Sequence, residues 1–192
     1  MGLTIHYTLT ARGSLPDETV RQLVQRTARR AKELGCAHVG KVLSSLESDR
    51  EAPDFFDTRW GNPRRCSGGS GTRGWLVEVW PGEGCATAVF GLMRRRPRDP
   101  GVWPRCRRTR RDACWELHEY CKTYYAALVS HDHFVRCHER VIRLLDLWRR
   151  AGVTVRVQDE GGFWKSRSRE ALAAQIGDLE AFRKMAGSGI WE

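Results

Sequence analysis

The period of the apolar residues changes along this chain, and those changes fix what it can fold into. Leu3, Ile5, Tyr7 and Leu9 alternate with Thr4, His6, Thr8 and Thr10, the period-2 pattern of a strand with one buried face. Val20, Leu23, Val24, Thr27, Ala28, Ala31 and Leu34 then recur at helical spacing. Ser14 and Asp17 form a reduced capping box before them, Pro16 falls in the first turn, and Gly35 is placed to end the helix. A short strand over residues 37–43 completes a β-α-β opening.

Strands over residues 75–80 and 85–93 follow, joined by Pro81-Gly82-Glu83-Gly84, a hairpin signal. Residues 113–125 read as a strand rich in aromatics, yet Cys114, Leu117, His118, Cys121, Tyr124, Tyr125 and Leu128 would equally line a helix face. Phe134, His138, Val141, Ile142, Leu145 and Trp148 make a second helical stripe closed by Gly152. Val153, Val155 and Val157 form a last strand. Ser168 is placed to cap a final helix facing inward through Leu172, Ile176, Leu179 and Phe182. The order β-α-β-β-β-β-α-β-α predicts one α+β domain over residues 1–192, a mostly antiparallel sheet with two or three helices packed on one face. A length of 192 residues suits a single core, and 41% hydrophobic residues with eight tryptophans can fill it.

Two stretches interrupt this pattern, at about 44–73 and 94–111, and both read as long loops. The first mixes Ser, Asp, Glu, Pro and Gly, although Phe55, Phe56 and Trp60 suggest that part of it packs down. The second carries nine arginines and one acid, Asp99, which accounts for most of the formal net charge of +10. The rest of the chain is close to neutral, so a nucleic-acid reading of the high isoelectric point rests on this segment alone. Arg94, Arg95, Arg96, Arg105, Arg107, Arg108, Arg110 and Arg111 would grip phosphates or an acidic protein, and Trp103 would stack on a base. No helix-turn-helix, zinc finger or RNP-type signature accompanies them.

The seven cysteines include no CxxC pair. No apolar run reaches the ~20 residues needed to span a bilayer, and no leader pattern opens the chain. The expectation is a cytoplasmic protein with reduced thiols and no membrane partner.

Three constellations could carry chemistry. His131, His133, Cys137 and His138 lie within one short stretch, and His133 with Cys137 share a helix face, as two ligands of one metal ion would. Cys121 beside Lys122 could be a nucleophile, with His138 as base and Asp159 or Glu160 to orient it. Asp159-Glu160-Gly161-Gly162 follows a strand, where a cation or ligand hydroxyl could be held with Phe163 and Trp164 covering the sheet end. Each also has a bland reading as packing or turn. No cofactor is indicated. The leading expectation is a non-catalytic interaction protein contacting an acidic partner. A nucleic-acid-binding accessory protein comes second, and a small thiol- or metal-dependent enzyme third.

The segments MGLTIHY, WPGEGC, CKTYY, FVRCH and DEGGFW resemble a family of bacterial conserved hypothetical proteins. That resemblance implies a bacterial single-domain protein. The family has no established activity, so it implies no role for any residue.

Overall fold

Among the described residues, seven strands in antiparallel pairing form one sheet, and the helices pack against its inner face. The structure, a computed structural model, describes residues 3–11, 15–44, 73–95 and 114–177. In chain order these are β1 (Thr4–Ala11), α1 (Asp17–Glu33), β2 (His38–Val39), β3 (Leu43–Ser44), β4 (Arg73–Trp80), β5 (Ala88–Arg95) and β6 (Cys114–Lys122). A 3₁₀ turn (Tyr124–Leu128) leads into α2 (His131–Arg150), β7 (Thr154–Asp159), α3 (Phe163–Ser166) and α4 (Arg169–Ala174). The sheet runs β2-β4-β5-β6-β1-β7, with β3 also paired to β4. The expected α+β domain is what forms.

Local physics accounts for most boundaries. The Ser130 hydroxyl accepts from the His133 amide and caps α2, and the Ser168 hydroxyl accepts from the Ala171 amide and caps α4. At the end of α1, the Gly35 amide donates to Lys32 O and the Cys36 amide to Ala31 O, which closes the last turn and bends the chain back toward the sheet. Pro16 is the N-cap residue of α1, extended at φ −62° and ψ 143°, and not part of the first turn. Ser14, Leu179 and Phe182 lie outside the described residues.

Other boundaries moved. The expected strand at 37–43 is two short pieces, each pairing with β4, because three residues, Gly40 to Val42, stand opposite only two, Val77 and Glu78, and the extra residue interrupts the ladder although the Gly40 amide still donates to Glu78 O. The strand expected from 85 begins at Ala88, which leaves Cys85 in the turn. The two expected long loops, with Phe55, Phe56 and Trp60 of the first, lie outside the described residues except at their ends. Ser44 and Arg73 belong to strands, and Arg94 and Arg95 end β5 opposite Trp115 and Cys114. The ambiguous stretch resolves as β6 because it pairs along its length with β1, from Thr4 opposite Lys122 to Ala11 opposite Trp115. Its helical spacing survives only in Tyr124–Leu128, where the 3₁₀ turn forms.

The core lies between the inner sheet face and the two long helices. Ile5, Tyr7, Leu9, Val77, Phe90, Leu92 and Trp115 meet Val20, Val24 and Ala31 of α1 and Phe134, Val141, Ile142, Leu145 and Trp148 of α2. Ile142→Ala and Leu145→Ala are each expected to cost roughly 2–5 kcal/mol as buried large-to-small changes. Arg143→Ala removes only an exposed pair with Glu139 and should stay within about 0.5 kcal/mol of the parent. Urea unfolding of the three variants checks this. Equal losses from all three would mean the wrong face of α2 is buried.

Candidate functional site

Four separate elements bring a cysteine to one place beneath the β4–β5 turn. Cys36 arrives from the closed end of α1. Cys85 sits in the turn, Cys121 on the inner face of β6, and Cys137 midway along α2. Each of these thiols feels the charge of at least one of the others. All four are free.

The turn is held down from α2. His133, Cys137 and Arg140 recur at i, i+4 and i+7 and so share one helix face. Arg140 Nη1 donates to Pro81 O at 2.7 Å, and its Nε donates to Leu34 O at 3.0 Å. The His133 ring donates from Nε2 to Glu83 O at 3.0 Å, which fixes a proton on that nitrogen. The same Nε2 lies 3.5 Å from Cys137 Sγ, and Arg140 Nη1 lies 3.9 Å from it. Gly82 covers the sulfur: a Cβ at that position would stand 2.5 Å from Cys137 Sγ and 3.1 Å from the His133 ring. Gly84, at φ +75°, lets the turn press on Tyr125, whose carbonyl would lie 2.5 Å from any Cβ there.

This setting separates the thiols chemically. Cys85 lies close enough to Cys137 for each thiol to shift the protonation of the other. The Cys85 neighbour, helped by His133 and Arg140, outweighs burial and lowers the Cys137 pKa to about 7. The Cys85 pKa rises through the same neighbour and through its own burial. Burial pushes Cys36 up to about 11 and raises Cys121 well above the ordinary thiol range. Cys137 is therefore the one of the four whose surroundings favour the thiolate.

The nucleophile expected from the sequence does not assemble around Cys121. Its thiol donates to Ala86 O at 3.1 Å. Neighbouring strand residues point to opposite faces, so Lys122 is exposed on the outer side while Cys121 is buried. The expected base does meet its expected carboxylate. His138 Nε2 lies 3.1 Å from Asp159 Oδ1, off the hydrogen-bond line. Its Nδ1 is 2.9 Å from Thr123 Oγ1. This Thr-His-Asp sequence resembles a catalytic relay, but Thr123 and His138 are both fully buried and His138 is wedged between the rings of Phe134 and Phe163. In this arrangement the ring packs the turn after β7 against α2.

Asp159 accepts from the Gly161 amide at 2.8 Å and the Trp164 amide at 2.7 Å, closing the turn after β7. Burial pushes its carboxyl up and is outweighed by the His138 ring and these two amides, so its pKa is lowered. Glu160 extends the β1–β7 edge by accepting from the Thr4 amide at 2.8 Å. At the strand end Leu172 packs on Gly161, where it would meet a Cβ at 2.7 Å. Trp164 carries the Arg149 and Arg167 guanidiniums over its ring, both of which also bind Asp146.

His133 and Cys137 do share a helix face. His131 stands at the start of α2 with its Nε2 buried and unpartnered. Among the described residues no three His, Cys, Asp or Glu side chains are placed to hold a metal ion. Of the arginine segment, Arg94 stacks its guanidinium on Trp115 at 6.0 Å. Arg96, Trp103, Arg105, Arg107, Arg108, Arg110 and Arg111 lie outside the described residues. Among those described, no helix is long and apolar enough to cross a membrane.

Sequence reasoning named Cys137 and His133 but missed Cys85, Gly82 and Arg140. The available signal was a cysteine closing a Gly-rich turn, together with Arg140 one helical turn beyond Cys137. No family model matches the chain, and neither a curated protein nor a solved structure matches it.

Proposed function

We propose that this chain is a thiol-redox protein in which Cys137 is the reactive sulfur and Cys85 its partner, the two interconverting between dithiol and disulfide. One observation carries the reading: the Cys137 sulfur is flanked by the His133 N–H at 3.5 Å and the Arg140 guanidinium at 3.9 Å, under the turn that carries Cys85. Oxidation needs a thiolate, and bond formation needs a second sulfur within reach. The two cationic or N–H neighbours support the first condition, and the place of Cys85 in the covering turn supports the second. The reading is a form of the thiol chemistry expected from the sequence, moved from Cys121 to Cys137. An acidic protein or nucleic-acid partner for the arginine segment is a separate role that leaves these thiols unused.

Thiolate absorbance in the far ultraviolet tests the reading without requiring a reagent to enter the site. In a pH titration of the reduced protein, the difference between the parent and Cys137→Ser is expected to show one thiolate with a midpoint near 7. The sign follows from the lowered pKa: the charge is present above about 7 and lost below it. Arg140→Gln should move the midpoint up toward the ordinary value of about 8.5. A parent and Cys137→Ser that ionise identically would remove the proposal.

A further inference from the structure

Resting on the dithiol reading, we infer that the oxidant is a small hydroperoxide, taken up at Cys137 beneath Gly82 and resolved by Cys85. The access geometry points there first. Cys137 is fully buried, while Cys85 is partly exposed. The backbone over Cys137 Sγ leaves too little room at Gly82 even for a methyl group. The turn is pinned by Arg140 on Pro81 O, by His133 on Glu83 O and by the Trp80 indole N–H on Cys85 O at 3.0 Å. A bulky disulfide needs in-line approach to the attacking sulfur, which this cover prevents. A hydroperoxide is small among two-electron oxidants and so asks for the least parting of the turn.

The groups around the sulfur fit the same chemistry. Cys85 faces it from the turn, Cys36 from the end of α1 and Cys121 from β6, all held as thiols. His133 and Arg140 face it from α2 and present N–H donors beside Sγ. In the first step the Cys137 thiolate attacks one peroxide oxygen. The S–O bond forms, the O–O bond breaks, and the departing hydroxide takes a proton from solvent to become water. Sulfur gives up two electrons and Cys137 becomes a sulfenic acid. In the second step the Cys85 sulfur attacks Cys137 Sγ, the S–S bond forms, and hydroxide leaves with the Cys85 proton as a second water. Two thiols and one peroxide thus give one disulfide and two waters. Two equivalents of a low-molecular-weight thiol reverse the state: the first attacks the more exposed Cys85 sulfur and expels Cys137, the better leaving group, and the second attacks the resulting mixed disulfide, frees Cys85 and departs as the low-molecular-weight disulfide.

Rates decide the matter. At pH 7 a thiol of pKa about 7 is roughly 15-fold more ionised than one of about 8.5. Lower intrinsic nucleophilicity takes back about 4–5-fold, which leaves roughly 3-fold over free cysteine. The two N–H donors beside the reacting centre should lift this to about 10-fold or more. The experiment mixes reduced full-length protein with hydrogen peroxide, with tert-butyl hydroperoxide, or with glutathione disulfide, and follows thiol loss and peptide masses.

The expected result is a hydrogen peroxide rate about 10-fold above free cysteine and a linked Cys85–Cys137 peptide. The rate with tert-butyl hydroperoxide should be clearly lower. Cys85→Ser should stop at a Cys137 sulfenic acid that dimedone traps, a readout independent of disulfide formation. A Cys85–Cys137 disulfide that forms with glutathione disulfide, while peroxide reacts no faster than with free cysteine, would overturn the peroxide inference and leave the dithiol reading standing. Equal rates for the two hydroperoxides would overturn the access argument. If no reagent links Cys85 to Cys137, both the inference and the reading beneath it fail.

Discussion

Asp159→Ala is expected to lower the unfolding free energy by about 3–5 kcal/mol, because it leaves a buried network without its acceptor. The carboxylate side chain is 2% exposed. It is the acceptor for the Gly161 and Trp164 amides and stands beside the His138 ring. Removing it leaves the Gly161 and Trp164 N–H groups unpaired, each costing about 1–3 kcal/mol before relaxation. For a chain of this size the thermal midpoint should fall by roughly 6–20 °C. The pH dependence has a definite sign. Asp159 has a lowered pKa in the folded state, so its charge stabilises the fold above the ordinary aspartate value of about 3.9. That contribution is lost as pH falls through the folded value, and the gap between parent and variant should narrow below about pH 4. A loss within about 0.5 kcal/mol of the parent would show that Asp159 does not hold the β7–α3 turn.

Gly84→Ala is the second large effect, and it ties stability to the thiols. A Cβ at this position carries a left-handed strain of about 1–2 kcal/mol and drives into the Tyr125 backbone, for which overpacking adds about 1–3 kcal/mol. The turn must lift to relieve the clash, and lifting it withdraws Cys85 from Cys137. The expected outcome is a stability loss of about 2–5 kcal/mol together with a rise of the Cys137 midpoint toward about 8.5. Gly152→Ala separates strain from contact. It has φ +84° with nothing within 4 Å of its Cβ, so it should cost about 1 kcal/mol and leave the thiolate midpoint in place. A Gly84→Ala protein with an unchanged midpoint would mean the turn does not set the Cys85–Cys137 contact.

The sequence carried the architecture further than the site, for identifiable reasons. Strands and helices with a single buried face advertise themselves by period, and β1, α1 and α2 all formed where Leu3–Leu9, Val20–Leu34 and Phe134–Trp148 placed their stripes. β6 stayed ambiguous because its two-sided aromatic content fits either period, and only pairing with β1 decides between them. The thiol chemistry was harder to read, since a neighbour in sequence need not be a neighbour in space. Lys122 adjoins Cys121 along the chain yet lies on the other face of the sheet. Arg140 and Cys85, which do act on Cys137, reach it through a helix turn and a hairpin. His138 and Asp159 do lie side by side, but the enclosure of His138 by the rings of Phe134 and Phe163 comes from distant segments and leaves no local pattern.

The most direct measurement is the pattern of disulfides at equilibrium in glutathione buffers of graded redox potential, read by the masses of linked peptides. The account predicts a single reversible bond between Cys85 and Cys137, lost in Cys85→Ser and in Cys137→Ser, with Cys36 and Cys121 reduced throughout. Cysteines that remain reduced at every oxidising poise, or that pair Cys137 with Cys36 or Cys121 as readily as with Cys85, would contradict it.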